Sequence, residues 1–151
     1  MTTKQVQWPS LSLEAWQDTY ATLHLWTQIV GKIRLAGMPW INHSWHVPLY
    51  ISSRGLTTSP VPAVTRVFEI QFDFISHQLI IRVSDGSVLI LPLRAQSVAD
   101  FYHEVLDALQ SLDLAVTIHD MPSEIPDAVP FSQDREHASY DPDYANRFWR
   151  I

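Results

Sequence analysis

Proton transfer or metal binding in this 151-residue chain would have to rest on histidine, since seven histidines accompany no cysteine. That absence excludes a disulfide framework, a thiol nucleophile, an iron–sulfur cluster and a cysteine zinc knuckle. His43 and His46, in Asn42-His43-Ser44-Trp45-His46, are the first metal candidates. In an extended segment residues three apart point to opposite faces, so these two share an ion only if the chain turns between them. His24, His137 or a carboxylate would have to complete the site. The competing reading wedges both imidazoles among Trp40 and Trp45, hydrogen-bonded to backbone.

Other constellations are narrower. Glu69 and Asp73 would lie on one strand face about 13 Å apart. A glycosidase pair needs roughly 5 to 9.5 Å, so they read as a solvated face, with Arg82 beside Gln71 on the next strand. No Gly-x-Ser-x-Gly elbow supports a serine nucleophile. Gly31-Lys32 lacks the glycine five residues earlier that a phosphate loop needs, since Trp26 stands there. The loop Ser52-Ser53-Arg54-Gly55-Leu56-Thr57-Thr58 offers a planar guanidinium fork with hydroxyls around it, suited to carboxylate or phosphate, or an Arg paired to a tail acid. Asp134-Arg135-Glu136-His137 with Tyr140-Asp141 reads as a solvated, capping-rich turn, or as the polar wall of a pocket.

Composition limits the partners. Residues 1–110 carry 7 bases against 8 acids, and residues 111–151 carry 3 against 8. The ten bases are scattered singly, which disfavours nucleic acid, because phosphate neutralisation needs clustered Lys and Arg. Apolar runs such as Val88–Leu91 fall far short of the roughly 20 residues that cross a bilayer. No secretion signal is visible, so a cytoplasmic location without membrane association is the expectation. The sequence names no cofactor.

The elements that would position these groups follow from periodicity. Ser12 caps a helix from about Leu13 to Ala36, about 36 Å long. Trp16, Thr19, Leu23, Trp26, Val30 and Ile33 form its apolar stripe, with Tyr20, His24, Thr27, Gly31 and Arg34 along its flank. Alternation predicts a strand over 45–52, and Pro48 places it at an edge. Arg66 to Leu93 reads as a three-stranded meander: Phe68, Ile70, Phe72 and Phe74 face inward, and an Asp85-Gly86 turn sets Val83 opposite Val88. Ser97 and Asp100 resemble a capping box for a helix with Phe101, Val105, Leu109 and Leu112 inward. A short strand over 114–118 and a last helix opened by Asp141-Pro142 complete the order, the latter with Tyr144, Phe148 and Ile151 on one side.

The fold expected is therefore α+β: an antiparallel sheet of about four to five strands with a three-stranded meander. It is packed by a long N-terminal helix, a middle helix and a short C-terminal helix. One domain covers 1–151, with a flexible N-terminus at 1–10, a Pro-containing acidic loop at 119–140 and a terminal helix at 142–151.

Several strings resemble a bacterial family known only as domain of unknown function 5996. They are Asp18 to Lys32, His46-Val47-Pro48-Leu49-Tyr50, Arg54 to Ser59, Phe68-Glu69-Ile70 with Phe72-Asp73-Phe74, Ser97 to Tyr102, and Asp134 to Pro142. The likeness runs from about residue 11 to the end and implies no activity. Similar proteins often continue past Phe148-Trp149-Arg150. The resemblance thus implies a short form, whose end covers a surface that longer relatives cover with their own second half, with a homodimer as the alternative cover.

Together these readings favour a small-molecule binding domain whose ligand is an anion contacted by Arg34 or Arg54. The ligand-binding candidates are Tyr20, His24, Arg34, Trp40, His43, Trp45, His46, Arg54, Asp134 and His137. The alternatives are a hydrolase- or lyase-type enzyme using His24, His43 or His46 as base or metal ligand, and a homo-oligomeric assembly module without a pocket.

Overall fold

A computed structural model describes residues 8–151. Most of the expected flexible N-terminus, 1–10, lies outside the described residues. Helix α1 spans Leu13–Gly37, with Ser12 at its N-cap. All six residues of the expected stripe are buried, and a second row (Thr22, Leu25, Ile29 and Arg34) is buried beside them. The helix thus packs on more than one side, which a single amphipathic stripe does not anticipate.

The sheet has six strands: β1 (Tyr50–Ile51), β2 (Gly55–Thr57), β3 (Val61–Ala63), β4 (Arg66–Asp73), β5 (Gln78–Val83) and β6 (Val88–Pro92). Its order is β1-β2-β4-β5-β6, with β3 beside β2 on the same edge of β4, and every pairing is antiparallel. Helix α2 (Val98–Ser111) and helix α3 (Pro142–Arg150) complete an α+β fold. Phe68, Ile70, Phe72, Phe74, Leu79 and Ile81 from β4, its following turn and β5 share one core with Trp26, Ile29 and Ile33 of α1 and Phe101 and Leu109 of α2. Trp26 is fully buried and stacks on Phe101, with ring centroids 4.6 Å apart.

Several local expectations are corrected. The strand over 45–52 shrinks to Tyr50–Ile51. Before it, Asn42–Ser44 forms a 3₁₀ turn in which His43 and Ser44 adopt left-handed backbone, φ 56° and 57°. Pro48 has no N–H for a ladder, so the segment turns instead of pairing. The hydroxyl-rich loop contains β2. Gly55 is required there, because a Cβ would fall 1.9 Å from the Phe72 carbonyl oxygen across the ladder.

The β5–β6 turn has three residues rather than two. The Gly86 N–H donates to Val83 O and the Val83 N–H to Ser87 O, with Gly86 at φ 94°. This is a type I turn closed by a glycine bulge, and it shifts the register by one residue. Arg82 faces Val88 and Ile80 faces Ile90, leaving Val88 and Ile90 exposed and Leu89 and Leu91 half-buried. No strand forms over 114–118, where Leu114 is buried but no ladder partner is adjacent.

Two of the three expected caps make side-chain bonds; Ser12 stands at the N-cap of α1 without one. The Ser97 side chain accepts from the Asp100 N–H, and Asp141 accepts from the N–H groups of Asp143 and Tyr144 ahead of Pro142. In α3, however, Ala145 is the buried residue and Trp149 is half-buried, whereas Ile151 is exposed. The Trp149 indole N–H donates to Ser52 O at 3.1 Å, and Phe148 packs on Trp16 with ring centroids 5.3 Å apart. The aromatic end of the chain therefore docks on its own domain.

Gly55→Ala forces β2 away from β4 and is expected to lower stability by about 3 kcal/mol, at the upper end of overpacking costs. Urea unfolding of the variant checks this. An unchanged midpoint would contradict the close approach.

Candidate functional site

A groove of about 760 Å³ runs between the exposed flank of α1 and the 43–49 segment. On the helix its wall is built by Tyr20, His24, Thr27, Gln28, Gly31 and Lys32, residues spaced three and four apart that a single helix turns to one side. Leu23, Val47, Leu49, Leu56 and Phe148 supply apolar surface, and His43, Ser44, Ser123 and Glu124 close the remaining sides.

Two devices hold the walls in place. The guanidinium of Arg34, only 3% exposed, donates from Nε to Thr58 O at 2.7 Å and from a terminal nitrogen to His46 O. It also lies 5.1 Å from the centroid of the Tyr50 ring. The His46 imidazole is buried, and its Nδ1 accepts the Ile41 N–H at 3.2 Å. The 41–49 segment is thereby tied to the helix without a strand ladder. Gly31 allows the approach, since a Cβ there would lie 3.3 Å from Val47 O. On the opposite rim, the Gln28 side chain donates to Ser123 O at 3.0 Å and accepts the Ser123 N–H at 2.8 Å. Lys32 Nζ donates to Ser123 Oγ at 3.2 Å.

The ten sequence candidates therefore divide. Tyr20, His24 and His43 meet in the groove. Arg34 and His46 lie beneath its wall as structural ties, not on its surface. Trp40 and Trp45 are 72% and 67% exposed and stand outside the groove walls. Arg54 is turned onto Asp73, Nε to Oδ2 at 2.5 Å, with a second bond to Ser76 Oγ at 2.9 Å.

Asp134 and His137 form the cap of α2. Their backbone carbonyls accept the Ala99 and Val98 N–H groups, and the Asp134 carboxylate accepts from the N–H groups of Glu136 and His137. Orphan helix donors are thus satisfied by a turn that reads, in sequence, as a pocket wall. His43 and His46 diverge to the groove and the interior, and among the described residues no group of three His, Asp or Glu side chains is placed to hold a metal ion. Gln28, Lys32, Ser123 and Glu124 were missed. The four-residue steps Tyr20, His24, Gln28 and Lys32 carry the signal for two of them; the Ser123 contact joins residues 95 apart in sequence.

The outward face of β4 is not simply solvated. Asp73 is buried, Thr57 Oγ1 donates to Glu69 at 2.6 Å, and Arg82 donates to Gln71 Oε1 at 3.0 Å. Burial pushes the Asp73 carboxyl up, but the Arg54 hydrogen bond and the Ser76 and Ile75 N–H groups outweigh it and hold the group below the ordinary range. Nearby, His77 Nδ1 lies 2.9 Å from the Tyr140 hydroxyl. Burial lowers the His77 pKa from 6.5, against the opposing pull of Asp73, and burial pushes Tyr140 well above the ordinary tyrosine range.

What the fold and groove define is an α+β domain with a polar-rimmed, apolar-floored cleft. The chain belongs to the family described as "Family of unknown function (DUF5996)", whose model matches residues 8–151. No curated protein and no solved structure matches it. Among the described residues, no helix is long and apolar enough to cross a membrane.

Replacing Arg34 by Met leaves the Thr58 and His46 carbonyls without their donor and is expected to cost about 2–4 kcal/mol, measured by urea denaturation. Retained stability would show that the guanidinium is not the tie. His77 favours its neutral form in the folded state, so its contribution is present above pH 6.5 and is lost as pH falls through its lowered pKa. Thermal melts between pH 7.5 and 5 should fall less steeply for His77→Gln than for the parent; parallel curves would remove His77 from the account.

Proposed function

We propose that the protein is a small-molecule binding domain whose ligand is an amphipathic anion, a carboxylate carrying an apolar chain or ring, seated in the α1 groove. The observation that carries this reading is the position of Lys32. It lines the groove, it joins no ion pair among the described residues, and its one described hydrogen bond is to the neutral Ser123 hydroxyl. An ammonium has three donors, so two remain for a ligand. Both arginines named from sequence are occupied internally, which moves the anion contact to Lys32. His24 and His43 add polar contacts at the rim, while Leu23, Val47, Leu49 and Phe148 accept the apolar part.

Binding fits these walls better than base catalysis. The histidine oriented by a carboxylate is His137, 2.7 Å from Asp134, and it caps α2 outside the groove walls. His24 meets the Gln28 amide instead, at 3.3 Å.

Decanoate titrated against the protein should change Trp fluorescence saturably, because Trp16 lines the groove. Lys32→Met keeps the aliphatic stem and removes the charge; it should weaken binding about tenfold or more, the worth of one charge-assisted hydrogen bond. Equal affinity in parent and variant, or no saturable signal, would overturn the reading.

A further inference from the structure

Among the described residues, the α1 groove is lined by one ammonium and one carboxylate, Lys32 on the helix and Glu124 on the 119–130 loop. The two lie close in the fold: Lys32 Nζ donates to Ser123 Oγ at 3.2 Å, and Ser123 directly precedes Glu124. Yet they do not pair with each other, and neither joins any other ion pair among the described residues. An exposed pair between them would be worth little, so a ligand that takes both charges meets no strong competitor.

The backbone stations Glu124 at this rim. At φ 59° it is left-handed, a region that glutamate rarely adopts, since Asn and Asp are the usual exceptions to glycine. Such a conformation persists where the surroundings over-determine it. On one side, the Ser123 N–H donates to the Gln28 amide oxygen at 2.8 Å and the Ser123 C=O accepts from the Gln28 amide nitrogen at 3.0 Å. With the Lys32 bond, all three polar groups of Ser123 are spent on α1. On the other side, Ile125 packs against the core.

Given the anion site proposed above, we infer that the ligand carries an amine beside its carboxylate: it is an α-amino acid with an apolar side chain, and Glu124 is the residue that selects it. Lys32 takes the carboxylate and Glu124 takes the ammonium, each through charge-assisted hydrogen bonds. Leu23, Leu49 and Phe148 take the side chain.

Charge separates this ligand from a simple carboxylate. An anion gains Lys32 but faces a like charge at Glu124, whereas a zwitterion satisfies both, so one side chain attracts the right ligand and repels the wrong one. In an α-amino acid a single carbon carries both charges. That suits a groove in which Lys32 is bonded to the residue next to Glu124. Its volume of about 760 Å³ leaves room for a long or aromatic side chain beyond the charged head.

Isothermal titration of the full chain with α-aminodecanoate and with decanoate, at neutral pH and low salt, tests this, because the two compounds differ by one ammonium. The parent should bind α-aminodecanoate at least about tenfold more tightly, the worth of one hydrogen bond between charged groups. Glu124→Gln keeps the side chain's length and removes its charge. It should weaken α-aminodecanoate by about tenfold and leave decanoate as tight or tighter, whereas Lys32→Met should weaken both. Glu124 is exposed, so the variant should keep its fold by circular dichroism. Equal parent affinities for the two compounds, a preference that survives Glu124→Gln, or a Glu124→Gln variant that loses both ligands alike would each overturn the selection by Glu124 while leaving the anion site standing. No saturable signal from either compound would overturn both.

Discussion

A guanidinium buried without a carboxylate holds this molecule's groove open. Arg34 sits on a face of α1 that is inside the protein, and its donors go to two backbone carbonyls, Thr58 O and His46 O, instead of to an acid. Burying a charge is costly unless its hydrogen bonds are made, so the two carbonyls must be presented to it. One belongs to the β2–β3 connection and the other to the 41–49 segment. That segment has no ladder of its own over Ile41–Leu49 and contains two consecutive left-handed residues, His43 and Ser44. Its course is fixed by Arg34, by the buried His46 ring on the Ile41 N–H, and by the packing of Val47 against Gly31. The groove exists because these ties hold the segment beside the helix while leaving the Tyr20-to-Lys32 flank uncovered.

The same helix is anchored from its other sides by the aromatic core and by the chain's last third. Trp26 lies between Phe101 of α2 and Tyr140, with ring centroids 4.6 and 5.6 Å away. Thr19 and Thr22 accept the N–H groups of Asp141 and Ser139, so the strand of chain leading into α3 runs along α1. Ser123 is clasped by Gln28 across the far rim. One long helix thus supplies core, strap contacts and groove wall at once, which accounts for burial on more than one side.

Much of this was legible in the sequence, and the parts that were not share a cause. The α1 stripe, the β4 alternation and the caps at Ser97 and Asp141 are set by local periodicity and local hydrogen bonds, and they are found where the residues place them. The β5–β6 register slipped by one because Asp85-Gly86 fits both a two-residue turn and the last part of a three-residue turn; backbone conformation decides between them. Tyr20, His24 and His43 reach the groove, yet Arg34, His46, Asp134 and His137 are spent on internal bonds. Residue type signals that a side chain can bind a ligand. It does not signal whether a carbonyl or a helix end elsewhere in the chain has already claimed that capacity, as Thr58 O claims Arg34 and the α2 terminus claims the Asp134 turn.

The central claim, that the α1 groove is the ligand site, is tested most directly by mapping decanoate onto the isotopically labelled protein by nuclear magnetic resonance. The account predicts that amide shifts cluster at His24, Gln28, Gly31, Lys32, Val47 and Ser123, with Ser87 and Ile90 on the far sheet edge unmoved. Shifts centred on Trp40 and Trp45, on Arg54, or on the β6 edge, with the α1 flank unmoved, would contradict it.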